Sequence, residues 1–287
     1  MKKPFSEKSP FWKETPLIRE KDIFSDLTGE KGSSLFLGKF SMNEVLSVLK
    51  KRNFFNDARK RKLWPLVYKL DSSEYPLQRY MIYYKEKKQK NLIVDLKIKE
   101  SLFRPKKELV EGIYPPQYKF LVLDWLTLQN PLLSFSPEKP FLPGQNYPGL
   151  SLGKKVMDIF VYLARVTKKD GILAFPAYFH NALLFSRYFY FLNPDKEAEV
   201  NAIKNSFPDV SFKQLAWIVY IDCLRSKDNR IYEWQAEEQV YPICESLRNY
   251  FDSKMYKNRV KESLKKLHFL IDWDCYQKKL KAQNSKV

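Results

Sequence analysis

The sequence predicts an α/β fold of the α+β kind: a mixed, mostly antiparallel central sheet flanked by helices, followed by a helical C-terminal extension. Three observations carry this. The segments "LWPLVYKL", "YPLQRYMIYYK" and "NLIVDLKI" are rich in β-branched and aromatic residues and are separated by short polar turns, as in an antiparallel meander. The most apolar segment, "YKFLVLDWLTL" at 118–128, runs into a glycine-bearing loop and then a helical period, as expected of a central strand feeding a helix. From about Asp195 onward the pattern reads as helices.

The elements follow in order. Residues 1–33 are polar, rich in Pro and Ser and without a period, and read as an N-terminal arm. "SLFLGKF" at 34–40 reads as a short strand. Ser41-Met42-Asn43-Glu44 is a capping box and predicts a helix that turns Val45, Leu46, Val48 and Leu49 inward and continues toward Lys62. After the meander and central strand, Leu152, Val156, Ile159, Phe160, Leu163 and Val166 recur at spacings of three and four, an amphipathic helix. "DGILAFPA" reads as a buried strand and 181–191 as a second apolar helix. Val260, Leu264, Leu267 and Ile271 form a stripe in the extension, and 278–287 a solvated tail. The expected organisation is an arm (1–33), a core (34–194) and a helical extension (195–287).

Composition narrows the function classes. The 287 residues are 44% hydrophobic and 16% aromatic, enough for a packed core. No apolar run approaches the length of a membrane span, and "MKKPF" is followed by polar residues, so a cytoplasmic protein without a transmembrane segment is expected. Cys223, Cys244 and Cys275 are odd in number and widely spaced; they suggest neither a disulfide framework nor a zinc ribbon and read as idle thiols. Neither clustered Cys/His ligands nor a carboxylate triad marks a metal site. The net charge is +18, and residues 1–100 carry 23 basic against 13 acidic side chains. Basic clusters stand at Lys50-Lys51-Arg52, at Arg59-Lys60-Arg61-Lys62, around Lys85 to Lys90, and at Arg104, Lys106 and Lys107. Such a surface attracts polyanions: nucleic acid, anionic lipid, an acidic carrier protein or a phosphorylated cofactor. No nucleic-acid motif accompanies it, and a lysine-rich surface without a partner explains the charge equally well.

The glycines say more. Residues 141–166 hold three of the chain's eight, within "GQNYPGLSLGKK". Small residues at Gly149, Ser151 and Gly153 let a backbone approach a ligand, and the amides and dipole at the helix start favour an anion, a pyrophosphate above all. The loop is neither a Walker loop nor a dinucleotide fingerprint, and a plain turn into a glycine-tolerant helix also fits it.

Together with the order of elements, this loop resembles the GCN5-related N-acetyltransferase (GNAT) superfamily over about 34–194, a little over half the chain. "PGLSLGKKVMDIFVYLA" is similar to the family's Gln/Arg-x-x-Gly-x-Gly/Ala signature, with Gly149, Ser151 and Gly153 at the small positions and Lys154 opening the helix. "HNALLFSRYFYF" is similar to its second segment, with Asn181 near the cofactor and Phe191 at the closing aromatic. The sequence departs from the pattern at Asn146, where Gln or Arg is usual, at Tyr190, which replaces a glycine, and at Ser186, where the family often has a Tyr that protonates the leaving thiolate. The resemblance implies that Asn146, Gly149, Leu150, Ser151, Leu152, Gly153, Lys154 and Asn181 bind acyl-coenzyme A, acetyl-CoA or a longer chain, with no metal. It also implies that a backbone amide near Leu126 to Gln129 polarises the thioester carbonyl.

Acyl transfer to an amine needs a base, a carbonyl-polarising donor and an acid for the thiolate. Asp124, within an apolar strand, is a candidate base if burial raises its pKa. His180 is a candidate base or substrate contact, and Tyr188, or alternatively Tyr178, the acid. The expected function is transfer of an acyl group from acyl-CoA, or from an acyl carrier protein, to an amine such as a small molecule or a protein lysine. Two alternatives stay open: a non-catalytic acyl-CoA-binding or scaffold protein, and a basic nucleic-acid-associated protein.

Overall fold

A computed structural model describes residues 34–105, 117–136 and 141–284. The arm expected over 1–33, with Lys106 and Lys107, lies outside the described residues. The chain divides into two compact units: residues up to 104, 117–135 and 147–172 form the first, and 136–146 and 173 onward the main part of the second.

In the first unit, helix α1 (Met42–Lys51) starts at the expected capping box: the Ser41 hydroxyl accepts from the Glu44 amide, and the Glu44 carboxylate accepts from the Ser41 amide at 2.8 Å. The strand expected over 34–40 is instead a turn closed by an isolated bridge between Phe36 and Phe40. Leu37 (φ 55°) and Gly38 (φ 63°) are left-handed there and break the extended run. Helix α2 (Phe54–Lys60) follows, then the meander: β1 (Leu66–Glu74), β2 (Leu77–Tyr84), β3 (Leu92–Phe103) and β4 (Tyr118–Leu128), each antiparallel to the one before. Arg79 on β2 forks onto Asp95 on β3 through two hydrogen bonds of 2.7 Å. The apolar character expected of β4 holds: Tyr118, Phe120 and Leu121 are fully buried. Helix α3 (Gly153–Val166) buries the expected stripe, including Val156, Ile159, Phe160 and Leu163. Strand β5 (Gly171–Ala174) neighbours β4 in the strand order, and the division between units falls within β5.

The second unit continues with α4 (Phe179–Phe185), β6 (Tyr190–Phe191), α5 (Pro194–Ser206), α6 (Phe212–Tyr220), β7 (Leu224–Ser226), β8 (Gln239–Pro242), α7 (Glu245–Asp252), α8 (Lys254–Lys266), β9 (Phe269–Ile271) and α9 (Trp273–Asn284). The helix expected over 181–191 starts earlier and stops at Phe185, and Tyr190 and Phe191 pair with Val240 and Gln239 of β8. The extension is therefore not wholly helical, since β7, β8 and β9 punctuate it. The expected stripe splits: Val260 and Leu264 lie on α8, Leu267 caps it, and Ile271 pairs with Leu224 in β9. A four-residue spacing across a helix end mimics helical period. Residues 278–284 belong to α9 rather than to a solvated tail, and the Asp272 carboxylate accepts the Cys275 amide in its first turn at 2.9 Å. Phe179, Phe191, Val200, Ile203, Leu215, Ile218, Leu224 and Phe269 form one apolar core.

Candidate functional site

The loop after β4 is anchored from the strand outward. The Asn130 amide donates to the Pro148 carbonyl at 2.7 Å and the Leu150 amide to the Leu128 carbonyl at 3.4 Å, around a bridge between Gln129 and Gly149. Leu150 and Leu152 are buried, while Gly149, Ser151, Gly153 and Lys154 are exposed. The alternation pins the loop by its leucines and presents its small residues outward. Neither Gly149 nor Gly153 is demanded by the chain's own packing. Neither has a positive φ; a Cβ at Gly149 would meet only the Leu128 carbonyl, at an ordinary 3.6 Å, and one at Gly153 nothing within 4 Å. Ser151, at φ 56°, holds the left-handed position that aims the backbone into α3.

The start of α3 is left without its usual partners. Its N-cap is Leu152, no side chain caps it, and its first turn has no acidic residue. The amides of Ser151, Leu152, Gly153, Lys154 and Lys155 have no acceptor among the described residues; the first that does is Val156, bonded to the Leu152 carbonyl at 3.0 Å. Lys154 adds charge of the same sign as the helix dipole's positive end, whereas the charge of Lys155 is met by a carboxylate of the chain. Leu150, expected among the binding amides, is used within the loop. Lys155 pairs with Asp57 of α2, and beside this pair lies an open polar cleft of about 450 Å³ lined by Asn53, Asn56, Asp57, Arg59, Lys60 and Lys155. In the sequence Arg59 and Lys60 stand only as surface charge; nothing in their spacing tells that α2 brings them to Lys155, 95 residues on from Lys60.

On β4, the register passes from Lys97↔Trp125 to Ile98↔Leu123, so Asp124 is the unpaired residue of a β-bulge. The bulge sets Asp124 in solvent, exposed rather than buried, which corrects the expectation that desolvation would make it a base. Beyond the bulge, the Gln129 amide is spent on the Ile93 carbonyl at 2.9 Å. The Leu128 carbonyl faces the loop instead. By the alternation of an antiparallel strand, the amides of Leu126 and Leu128 face that side too.

Asn146, His180, Asn181 and Tyr188 belong to the second unit. Asn146 is exposed in a turn, where the neighbouring Gln145 carboxamide accepts the Leu142 amide at 3.0 Å. His180, in the first turn of α4, is 4% exposed and stacks on Tyr178 at 5.3 Å between ring centroids. Burial pulls its pKa down to about 4, so the imidazole is neutral at physiological pH. Asn181 is half-buried, and its amide donates to the Tyr178 carbonyl at 3.0 Å. Tyr188 is half-buried beyond the end of α4. The Ser186 hydroxyl, where the resemblance would have a Tyr, donates to the Ala182 carbonyl at 2.8 Å and accepts from Gln239 at 3.3 Å, a role in packing. Among the described residues no group of His, Cys, Asp and Glu could hold a metal ion, and no helix is long and apolar enough to cross a membrane.

No protein-family model matches the chain, and no curated protein matches it in sequence. Among the solved structures similar to it are two of low identity. One is a crystal structure of a tyrosine-to-phenylalanine mutant of KacT, 14% identical, covering 77% of this chain and 90% of that one, with a TM-score of 0.29. The other is AtaT complexed with acetyl-methionyl-tRNAfMet, 14% identical, covering 56% of this chain and 82% of that one, with a TM-score of 0.26. From β1 to α4 the chain's own order of elements, an antiparallel meander, a loop, a helix, a strand and a helix, is the order expected from the sequence.

Proposed function

We propose that the chain is an acyltransferase that passes the acyl group of acyl-coenzyme A to an amine. The observation that carries the reading is the unpartnered start of α3: a run of amides without acceptors, opened by glycines that the chain's own packing does not require and flanked by Lys154 and Lys155. In this reading the amides of Ser151 to Lys155 bind the pyrophosphate, and Lys60 and Arg59 in the cleft beside Lys155 add positive charge toward further phosphates. The amide of Leu126 or Leu128 polarises the thioester carbonyl as the amine attacks it. A C–N bond forms, the C–S bond breaks, the amine proton passes to a base and the thiolate takes a proton from an acid. Of the candidates for these two roles, Asp124 stands in water and His180 and Tyr188 belong to the second unit; substitution of each, read in a thiol-release assay, assigns them. The acceptor class is a small-molecule amine or a protein lysine, and an acyl carrier protein is an alternative donor suited to the basic surface.

A second reading, binding without chemistry, rests on Ser186, whose hydroxyl is committed to the Ala182 carbonyl where a thiolate acid would stand. Calorimetric titration with acetyl-CoA and a long-chain acyl-CoA, followed by thiol-release assays with amines, separates the cases. Saturable donor binding with amine-dependent release of free CoA supports transfer; binding without release supports the second reading. Binding of neither donor, with salt-sensitive binding of RNA or DNA, overturns both.

A further inference from the structure

Sequence spacing alone leaves Cys223 and Cys275 unconnected, yet the fold brings their sulfurs to 2.7 Å, well inside the sum of two sulfur radii. Several independent contacts hold the pair in register. Strands β7 and β9 pair antiparallel immediately after Cys223 and shortly before Cys275, with Leu224 opposite Ile271. The Asp272 amide donates to the Cys223 carbonyl at 2.9 Å, and the Asp272 carboxylate binds both the Cys275 amide at 2.9 Å and the Arg225 guanidinium at 3.1 Å. From the next turn of α9, the Lys279 ammonium donates to the Ile221 carbonyl at 2.6 Å. Each sulfur is therefore carried by backbone tied to the other's backbone.

We infer that Cys223 and Cys275 form a reversible dithiol–disulfide site that staples α9 to the end of β7. The two thiols differ in access, and this sets the order of events. Cys275, in the first turn of α9, is partly exposed, whereas Cys223 is fully buried, and its thiol is pushed up to about 12 mainly by that burial. A small-molecule disulfide therefore meets Cys275 first. The Cys275 thiolate attacks one sulfur of the reagent, forming a mixed disulfide and releasing one thiol. The Cys223 sulfur, already adjacent, then loses its proton and attacks the Cys275 sulfur, expelling the second thiol. The two protons leave with the two released thiols, the reagent takes up two electrons, and the protein gains one S–S bond. Cys244 is separate: its Sγ lies 3.3 Å from the Ser246 hydroxyl at the start of α7.

The test uses the full chain. It is incubated with oxidised glutathione, the remaining thiols are alkylated under denaturing conditions, and a non-reduced digest is read by mass spectrometry. The expected result is a linked peptide pair containing Cys223 and Cys275, with Cys244 alkylated and the link reversed by dithiothreitol. The oxidised chain should melt about 5 °C or more above the reduced one, since the link closes a long loop. The Cys275→Ser and Cys223→Ser variants should each abolish both the link and the melting shift, and Cys244→Ser neither. Recovery of Cys223 and Cys275 fully alkylated after oxidation, or glutathione or a link found on Cys244 instead, overturns the inference from the wild-type chain alone, whatever the variants' folding.

Discussion

Gly144 and the pair Gly149 and Gly153 lie within ten residues of one another and are there for opposite reasons. Gly144 is required by the fold around it: its φ is +75°, and a Cβ would stand 2.7 Å from the Tyr178 hydroxyl oxygen. At Gly149 and Gly153 the backbone is ordinary and the space in front is open. A glycine whose absence of a side chain serves no neighbour in the chain keeps room for something outside it. That contrast, rather than glycine content, is what the proposed binding loop rests on, together with the uncapped amides after Gly149.

The contrast can be broken by substitution. The largest effect on stability is expected at Gly144. A Gly144→Val change meets both a left-handed φ and the Tyr178 ring, and should cost about 2–4 kcal/mol in denaturant unfolding; a loss below about 1 kcal/mol would erase the distinction. A comparable effect comes from His180. Its pKa is lower folded, about 4, than the 6.5 of the free side chain, so between these values the unfolded chain binds more protons. Stability from this group is intact above pH 6.5 and lost as pH falls toward 4, by up to about 3 kcal/mol. Melting curves of wild type and His180→Gln should therefore diverge in slope over that window, the variant losing less; parallel curves would show that His180 is not held neutral by burial.

The smallest effect is the most discriminating. Gly153→Ala places a better helix former at the first position of α3, where nothing obstructs it, and should raise stability by about 0.5 kcal/mol while weakening acyl-CoA binding. Gly149→Trp should leave the melting temperature close to wild type and abolish donor binding, because the ring occupies the exposed side of the loop. Stability and affinity moving together in these variants would mean that the glycines serve the fold after all.

Much of the first unit was legible because its signals are periodic or chemically specific. The capping box at Ser41 and Glu44, the alternating strands and the stripe on α3 each have one structural solution. The strand at 34–40 was not, since left-handed Leu37 and Gly38 turn a β-rich string back on itself. Asp124 misled for a similar reason: a bulge adds one residue to β4, and alternation read along a single strand cannot reveal what its partner skips. In the second unit the short strands β7 and β9 were hidden among helical spacings, and with them the meeting of Cys223 and Cys275, which depends on pairing between residues such as Leu224 and Ile271, far apart in sequence. The loop at 149–154 was legible as a glycine-bearing entry to a helix, but the spending of the Leu150 amide on Leu128 and the arrival of Lys60 and Arg59 beside Lys155 come from tertiary structure alone.

Amide NMR reads the short run of backbone amides at the start of α3 directly. Coenzyme A titrated into 15N-labelled protein should shift the resonances of Ser151, Leu152, Gly153, Lys154 and Lys155 most, with Leu150, already bonded to Leu128, moving less, and Gly149→Trp should suppress the response. Shifts spread evenly over the basic surface of α1 and α2, with none concentrated at the start of α3, would contradict the account.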